Sequence, residues 1–156
     1  ADFKVVIAGA LSARAAHLPE TYQNFSNTVF LGKIENTDLP SYERAADVFL
    51  FTHLNPPCPN NIIEALGCGL PICGVADGAM PEIVETERSG LLLETAGNAF
   101  WRVRDLDSTR LADNLHTLLG ERDRYSTECR KIAEERFSVD TMLQNYEEVL
   151  RKTGAL

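Results

Sequence analysis

Short apolar runs alternate with amphipathic segments along the first two thirds of the chain. The runs are rich in β-branched residues, and a turn signal or polar loop follows each of them, as is typical of buried strands. There are five, at 4–8, 28–31, 47–52, 70–75 and 90–93. The segments between them have helical spacing, at 13–25 with an interruption at Pro19, and at 39–46, 61–68 and 81–85. This alternation predicts an α/β fold, with a Rossmann-like parallel sheet of about five buried strands and helices on both faces.

From residue 107 onward the pattern is purely helical. It predicts three helices, over 109–119, 121–136 and 140–152. Asp107 or Ser108 caps the first of them, and Gly120 ends it. We therefore predict one nucleotide-binding domain over 1–156, completed by C-terminal helices within 107–153.

The last helix carries an apolar stripe at spacings of three and four. It consists of Met142, Leu143, Tyr146, Val149 and Leu150. Two interpretations are open: the stripe packs wholly on its own domain, or part of it covers a partner surface. We expect the helix to dock through Tyr146 and Leu150 and to leave its amino-terminal end more exposed.

Composition and charge narrow the class of protein. The chain has 156 residues, of which 44% are hydrophobic and 24% charged, which suits one compact domain. No apolar run approaches the ~20 residues of a membrane span, and no basic segment precedes the first apolar stretch, so we expect neither a span nor a signal peptide. A net charge of −8 disfavours nucleic acid or an anionic membrane as the main partner. An anionic ligand must then be held by local dipoles and a few cations.

The four cysteines have neither CxxC spacing nor the density of a disulfide scaffold. They are Cys58, Cys68, Cys73 and Cys129. We interpret them as reduced, mostly buried thiols of a cytoplasmic protein. Together with His53, the first three match no common zinc site, so we expect no metal.

In an open α/β sheet, ligands bind outside the carboxyl ends of the strands. The loops at that edge span 9–12, 32–34, 53–61, 76–80 and 94–97, and glycines recur within them, among them Gly9, Gly78 and Gly97. These glycines either let backbone approach a ligand or simply form turns. Two roles are likewise open for Asp77 and Glu82, which are either turn residues or sugar contacts. A GxGxxG motif is absent.

Glu64 is the one carboxylate in the apolar segment after the proline-rich loop 55–59. Three roles are open for it. With Asn61 as N-cap, it would close a capping box. Facing the cleft, it would accept hydrogen bonds from ribose hydroxyls while the amides of 60–62 hold phosphate. As a catalytic acid or base it has no partner that the sequence identifies.

Two long segments resemble a known family. They are FLGKIENTDLPSYERAADVFLF at 30–51 and CPNNIIEALGCGLPICGVADGAMPEIVETERSGLLLE at 58–94, and RFSVD at 136–140 introduces the terminal helices. Their motifs stand in the order found in the C-terminal, donor-binding domain of retaining GT-B glycosyltransferases of the glycosyltransferase 4, or group 1, type. The resemblance covers roughly residues 3–150. It implies sugar transfer from a UDP-, GDP- or ADP-linked donor without a cofactor, in polysaccharide or glycolipid synthesis.

The resemblance also assigns roles to residues. Glu64 ends the family's E-x7-E motif and would bind the donor ribose. Backbone at Lys33 and Ile34 would meet the nucleobase. Donor sugar and diphosphate would lie along Cys58, Pro59, Asn60, Asn61 and Ile62.

Three loop residues, Gly9, His53 and Gly78, are expected to line the same cleft. His53 stands where the family often has a small hydroxyl residue; it is either a loop histidine or a base without a partner. Trp101 is either a packing anchor or a stacking platform.

The sequence departs from the family at Pro56, where the first acid of E-x7-E is expected. It also opens after the strand and helix that carry the family's diphosphate-binding Arg and Lys. We therefore expect an acceptor-binding domain, absent here, or a partner chain to complete the enzyme, and the isolated chain to be inactive. Any membrane contact would be indirect, through a lipid acceptor at the inner membrane face. The alternative is a non-catalytic nucleotide-sugar-binding module.

Overall fold

The structure is a computed structural model that describes residues 3–94 and 106–154. Gly97 and Trp101, for which the sequence suggested roles, lie outside these ranges. The chain divides into two compact units, Ala1–Leu39 and Pro40–Leu156. The expectation of a single domain stays a prediction.

The first unit is a two-stranded parallel sheet, β1 (Val5–Ala8) and β2 (Thr28–Gly32), with a short helix α1 (Leu18–Thr21) between the strands. The predicted helix over 13–25 is wrong in length. It begins only at Leu18, because Pro19 fits the first turn, where its missing N–H is not needed, but not a helix interior.

Burial corrects the prediction of five buried strands. No residue of β1 or β2 is buried, and Val6 is 52% exposed. A two-stranded sheet with one four-residue helix has too little covering structure to bury both faces. The apolar runs therefore predicted the strands correctly but not their burial.

The second unit contains a three-stranded parallel sheet in the order β3 (Phe49–Phe51), β4 (Ile72–Ala76), β5 (Gly90–Glu94). Ile72 of β4 stands opposite both Phe49 and Gly90. Four of the five β4 residues are buried, as expected for a central parallel strand covered on both faces. No residue of the edge strand β3 is buried, so the burial predicted for that strand is wrong as well. The predicted α/β class with parallel pairing is confirmed, with the five strands distributed over two sheets.

Among the described residues, six helices accompany this sheet. They are α2 (Leu39–Ala45), α3 (Asn60–Gly67), α4 (Met80–Ile83), α5 (Ser108–Gly120), α6 (Arg122–Phe137) and α7 (Val139–Thr153). Of the two predicted caps, Asp107 is the N-cap of α5, and its side chain accepts hydrogen bonds from the N–H groups of Thr109 and Arg110. Each predicted helix of this unit is present to within two residues.

The core of the second unit joins α3, β4, α4 and α6. Ile62, Leu66, Ile72 and Met80 are each 0% exposed and belong to one apolar cluster. Arg136 of α6 reinforces this packing, because its guanidinium pairs with Glu85 at 2.9 Å and donates to a carbonyl oxygen of α4 at 2.7 Å. The helix that carries Glu64 is thus fixed along its buried face.

Helix α7 does not dock as predicted. None of its residues is buried, Tyr146 is 64% exposed and Leu150 40%, while Met142 near its start is 47% exposed. Of the two predicted anchors, Leu150 is only slightly better covered than Met142, and Tyr146 is less well covered. A groove of about 410 Å³ runs beside the helix and is lined by Ile63, Arg136, Phe137, Met142, Asn145, Tyr146 and Val149. Within the ranges described, no helix has the length and apolar character that crossing a membrane requires.

Candidate functional site

Helix α3 begins without a side-chain cap. Its N-cap residue is Pro59, with φ −80° and ψ 96°, and among the described residues no side chain accepts a hydrogen bond from the first turn. Proline suits this position because the extended conformation directs the chain into the helix. Glu64 is the fifth residue of α3, so the capping box with Asn61 is not formed. The first amides of the helix are left open to a ligand.

One face of α3 is buried in the core and the other is exposed to solvent. Ile62, Ala65 and Leu66 are fully buried, at the spacing of one helical face. Glu64 is exposed. It follows Asn60 by four positions and Asn61 by three, so its side chain lies one turn along from these two residues on the same side of the helix. An open helix N-terminus and a carboxylate one turn away are therefore combined on one solvent-facing surface.

The predicted site residues in and beside the loop before α3 differ in their exposure to solvent. Cys58 and His53 are exposed, and the His53 ring lies 5.9 Å from that of Phe51, tilted by 47°. Pro59 is half-buried. Ile62 contributes backbone alone, since its side chain is in the core, and its N–H donates to the Pro59 carbonyl oxygen at 3.0 Å. That bond leaves Asn60 and Asn61 as the amides best placed for an anion.

Gly78 follows β4 and is exposed in the loop that faces residues 55–56. Its φ of +54° is a left-handed conformation that favours glycine. Pro56, at the position of the missing first acid, is fully buried. Proline there forms part of the packing between the two loops.

The sequence interpretation missed a second carboxylate close to Glu64. Glu43 of α2 is only 5% exposed, and its Oε1 has no hydrogen-bond partner among the described residues. Burial raises the pKa of Glu43, and the negative charge of Glu64 raises it further; Cys68 and Arg44 act in the opposite direction. Helical spacing could have predicted the burial of Glu43, because this residue shares a helix face with the apolar residues Leu39 and Ala46.

This burial predicts a pH-dependent stability. The pKa of Glu43 is higher in the folded chain than in the unfolded chain, so the folded state binds more protons between those two values. The unfolding free energy therefore falls as pH rises through that interval. Glu43→Gln removes the titration, so we expect the variant to gain stability relative to wild type as pH rises through the same interval.

Denaturant unfolding at a series of pH values measures the effect. Glu135→Gln is the matched control, because Glu135 is an exposed α6 residue whose side chain forms no ion pair among the described residues. A difference between Glu43→Gln and wild type that stays constant with pH would contradict the assignment.

Three predicted site residues belong to the first unit. Gly9 follows β1, and its N–H donates to the Gly32 carbonyl oxygen at 2.8 Å, which extends the pairing beyond the strand. Lys33 forms an exposed ion pair with Glu35 at 3.1 Å, and Ile34 is half-buried. The other predicted site residues lie in the second unit. Convergence of both groups on one nucleotide stays a prediction.

The family profile described as glycosyl transferases group 1 matches residues 1–121. The chain belongs to this family. The resemblance seen in the sequence motifs is thus confirmed. Among curated proteins, none matches the chain.

Solved structures place this group 1 chain in the GT-B fold. HepE from Anabaena in complex with UDP superposes with a TM-score of 0.71 at 26% identity, over 96% of this chain and 41% of HepE. Sucrose-phosphate synthase from Thermosynechococcus elongatus gives 0.75 at 20% identity, over 97% and 39%. The pneumococcal O-GlcNAc transferase GtfA, in complex with UDP and GlcNAc, gives 0.73 at 19%, over 96% and 29%. The chain therefore spans about two fifths or less of the length of each of these three proteins.

Proposed function

We propose that this chain is the donor-binding part of a retaining glycosyltransferase that uses a UDP-sugar. The observation that carries the proposal is the uncapped start of α3 with Glu64 one turn away on the same exposed side. Glu64 accepts hydrogen bonds from the ribose hydroxyls, and the N–H groups of Asn60 and Asn61 hold the diphosphate. Uridine is the base proposed, because HepE, at 26% identity, is described in complexes with UDP and with UDP-glucose.

The chemistry follows from where charge develops. In transfer, the bond from the anomeric carbon to the diphosphate oxygen breaks, a bond to an acceptor oxygen forms, and the proton of the acceptor hydroxyl passes to the departing diphosphate. Negative charge accumulates on the departing diphosphate. The positive end of the α3 dipole and its open amides lie where they stabilise that charge, without moving during the reaction.

The wider setting belongs to the same proposal. The acceptor is a polysaccharide or glycolipid precursor, held by an acceptor-binding domain or partner chain, and any membrane contact is made through that acceptor. Four free thiols, two of them buried, support a reducing, cytoplasmic location.

Pro56 supports a second candidate, a non-catalytic nucleotide-sugar-binding module. The buried proline leaves no carboxylate at the first position of E-x7-E. Donor binding through α3 does not require that acid, whereas transfer depends on correct placement of the sugar. The two candidates therefore share the nucleotide site and differ in the sugar-transfer step.

Calorimetric titration with UDP-, GDP- and ADP-sugars tests the proposal. We expect saturable binding of one UDP-sugar per chain, tighter than that of the other two nucleotides. Tighter binding of GDP- or ADP-sugars would contradict the choice of uridine. Absence of saturable binding by all three would contradict the nucleotide site itself.

The purified 156-residue chain is expected to bind donor without transferring sugar. The chain spans about two fifths of HepE, and we propose that the acceptor is positioned by a domain outside that span. Without it, nothing holds an acceptor hydroxyl against the anomeric carbon. Release of UDP from UDP-glucose, followed with a range of sugar acceptors, measures this. Transfer above the rate of a protein-free control would contradict the expectation.

A further inference from the structure

The loop that leads into α3 is fastened at two points to the loop that follows β4. The N–H of Asn55 donates a hydrogen bond to Asp77 Oδ2 at 2.9 Å. The N–H of Ala79 donates to the Pro56 carbonyl oxygen, also at 2.9 Å. The first loop thus donates once and accepts once, which fixes residues 55–56 beside residues 77–79.

Close packing completes the fastening. A Cβ at Gly78 would lie 2.5–2.7 Å from atoms of Pro56, so the two backbones approach as closely as glycine allows. Asn55 has φ +51°, a left-handed conformation that asparagine adopts more readily than most residues. Such a conformation persists only where the surroundings hold it. The Asp77 carboxylate is the group that meets the Asn55 N–H.

We propose that Asp77 is a positioning residue for the nucleotide site and acts through its hydrogen bond to Asn55. The prolines between Asn55 and α3 leave this segment few conformations. The angle fixed at Asn55 therefore sets where Asn60 and Asn61 present their N–H groups. The inference rests on the proposed function, because the ligand concerned is the diphosphate of a nucleotide.

The role assigned to Asp77 needs its acceptor oxygen and not its charge. A carboxylate near the diphosphate path repels it, so the charge itself does not favour binding. Asparagine places an acceptor oxygen at the same reach without the charge, whereas alanine removes the acceptor. Asp77→Asn and Asp77→Ala therefore separate the hydrogen bond from the charge.

The test compares these two variants with wild type, using the whole chain. Asp113→Ala is the control, since Asp113 is an exposed carboxylate on α5. UDP affinity is measured by calorimetry, and exchange of the Asn55 and Ala79 amide protons is measured by NMR without nucleotide. We expect Asp77→Ala to weaken UDP binding about threefold to tenfold and to speed exchange at Asn55. Asp77→Asn and Asp113→Ala should stay within about twofold of wild type in affinity.

The outcomes separate the two proposals. Unchanged affinity in Asp77→Ala overturns the positioning role and leaves the proposed function in place. An equal loss in Asp77→Asn overturns it as well, because the charge would then be what matters. If Asp77→Ala does not fold, Asp77→Ser, whose side chain is one atom shorter, replaces it with the same expectation. A wild-type chain that binds no UDP contradicts the proposed function, and the positioning role fails with it.

Discussion

Replacement of Glu64 by glutamine is expected to weaken UDP binding by at least about tenfold. Glutamine keeps the shape of the side chain but removes the charge that strengthens its hydrogen bonds to the ribose hydroxyls. A charge-assisted hydrogen bond contributes roughly 1.5–3 kcal/mol, and about 1.4 kcal/mol corresponds to a factor of ten in affinity. Calorimetry with UDP measures the loss directly.

The same substitution should leave the unfolding free energy nearly unchanged. Glu64 is exposed and closes no capping box, because α3 begins at Asn60 after a proline N-cap. Glu135→Gln, an exposed carboxylate on α6, controls for the loss of one negative charge. A lower melting temperature with unchanged UDP affinity would assign Glu64 a structural role and contradict the ribose role.

Replacement of Leu66 by alanine is expected to lower the unfolding free energy by about 2–5 kcal/mol. Leu66 is 0% exposed and lies in the cluster that joins α3 to β4 and α6. Removing a buried leucine side chain loses its transfer free energy and leaves a cavity that the packed neighbours fill only in part. Denaturant unfolding measures the loss.

Leu119→Ala is the matched control. Leu119 lies near the end of α5 and is 36% exposed, so the same substitution should cost less than about 1 kcal/mol there. Similar losses in the two variants would contradict the placement of α3 against the core.

Much of the fold could be predicted because its local signals agree. Apolar runs located the five strands that the structure describes, and Asp107, one of the two predicted caps, is the N-cap of α5. Burial was predicted less well, since an apolar residue type does not show whether another layer covers it. Val6 in β1 and Tyr146 in α7 are examples, because both are apolar residues that the structure leaves exposed.

The binding roles of the site residues stay predictions, but the structure shows where these residues lie. The motif identified Glu64, but its position within α3 depended on where the helix begins, and proline rather than asparagine occupies the cap. The hydrogen bond from Asn55 to Asp77 joins residues that are 22 positions apart, and no local sequence pattern predicts it. Helical spacing could have predicted that Glu43 is on the buried face of α2, but its proximity to Glu64 follows only from the packing of that helix.

Amide chemical shifts of α3 during a UDP titration test the central claim most directly. If the open start of the helix holds the diphosphate, the amide resonances of Asn60 and Asn61 should shift saturably, with the same dissociation constant as calorimetry gives. Glu64→Gln should require more UDP to reach the same end point. Saturable UDP binding that leaves both amide resonances in place would contradict the proposed site.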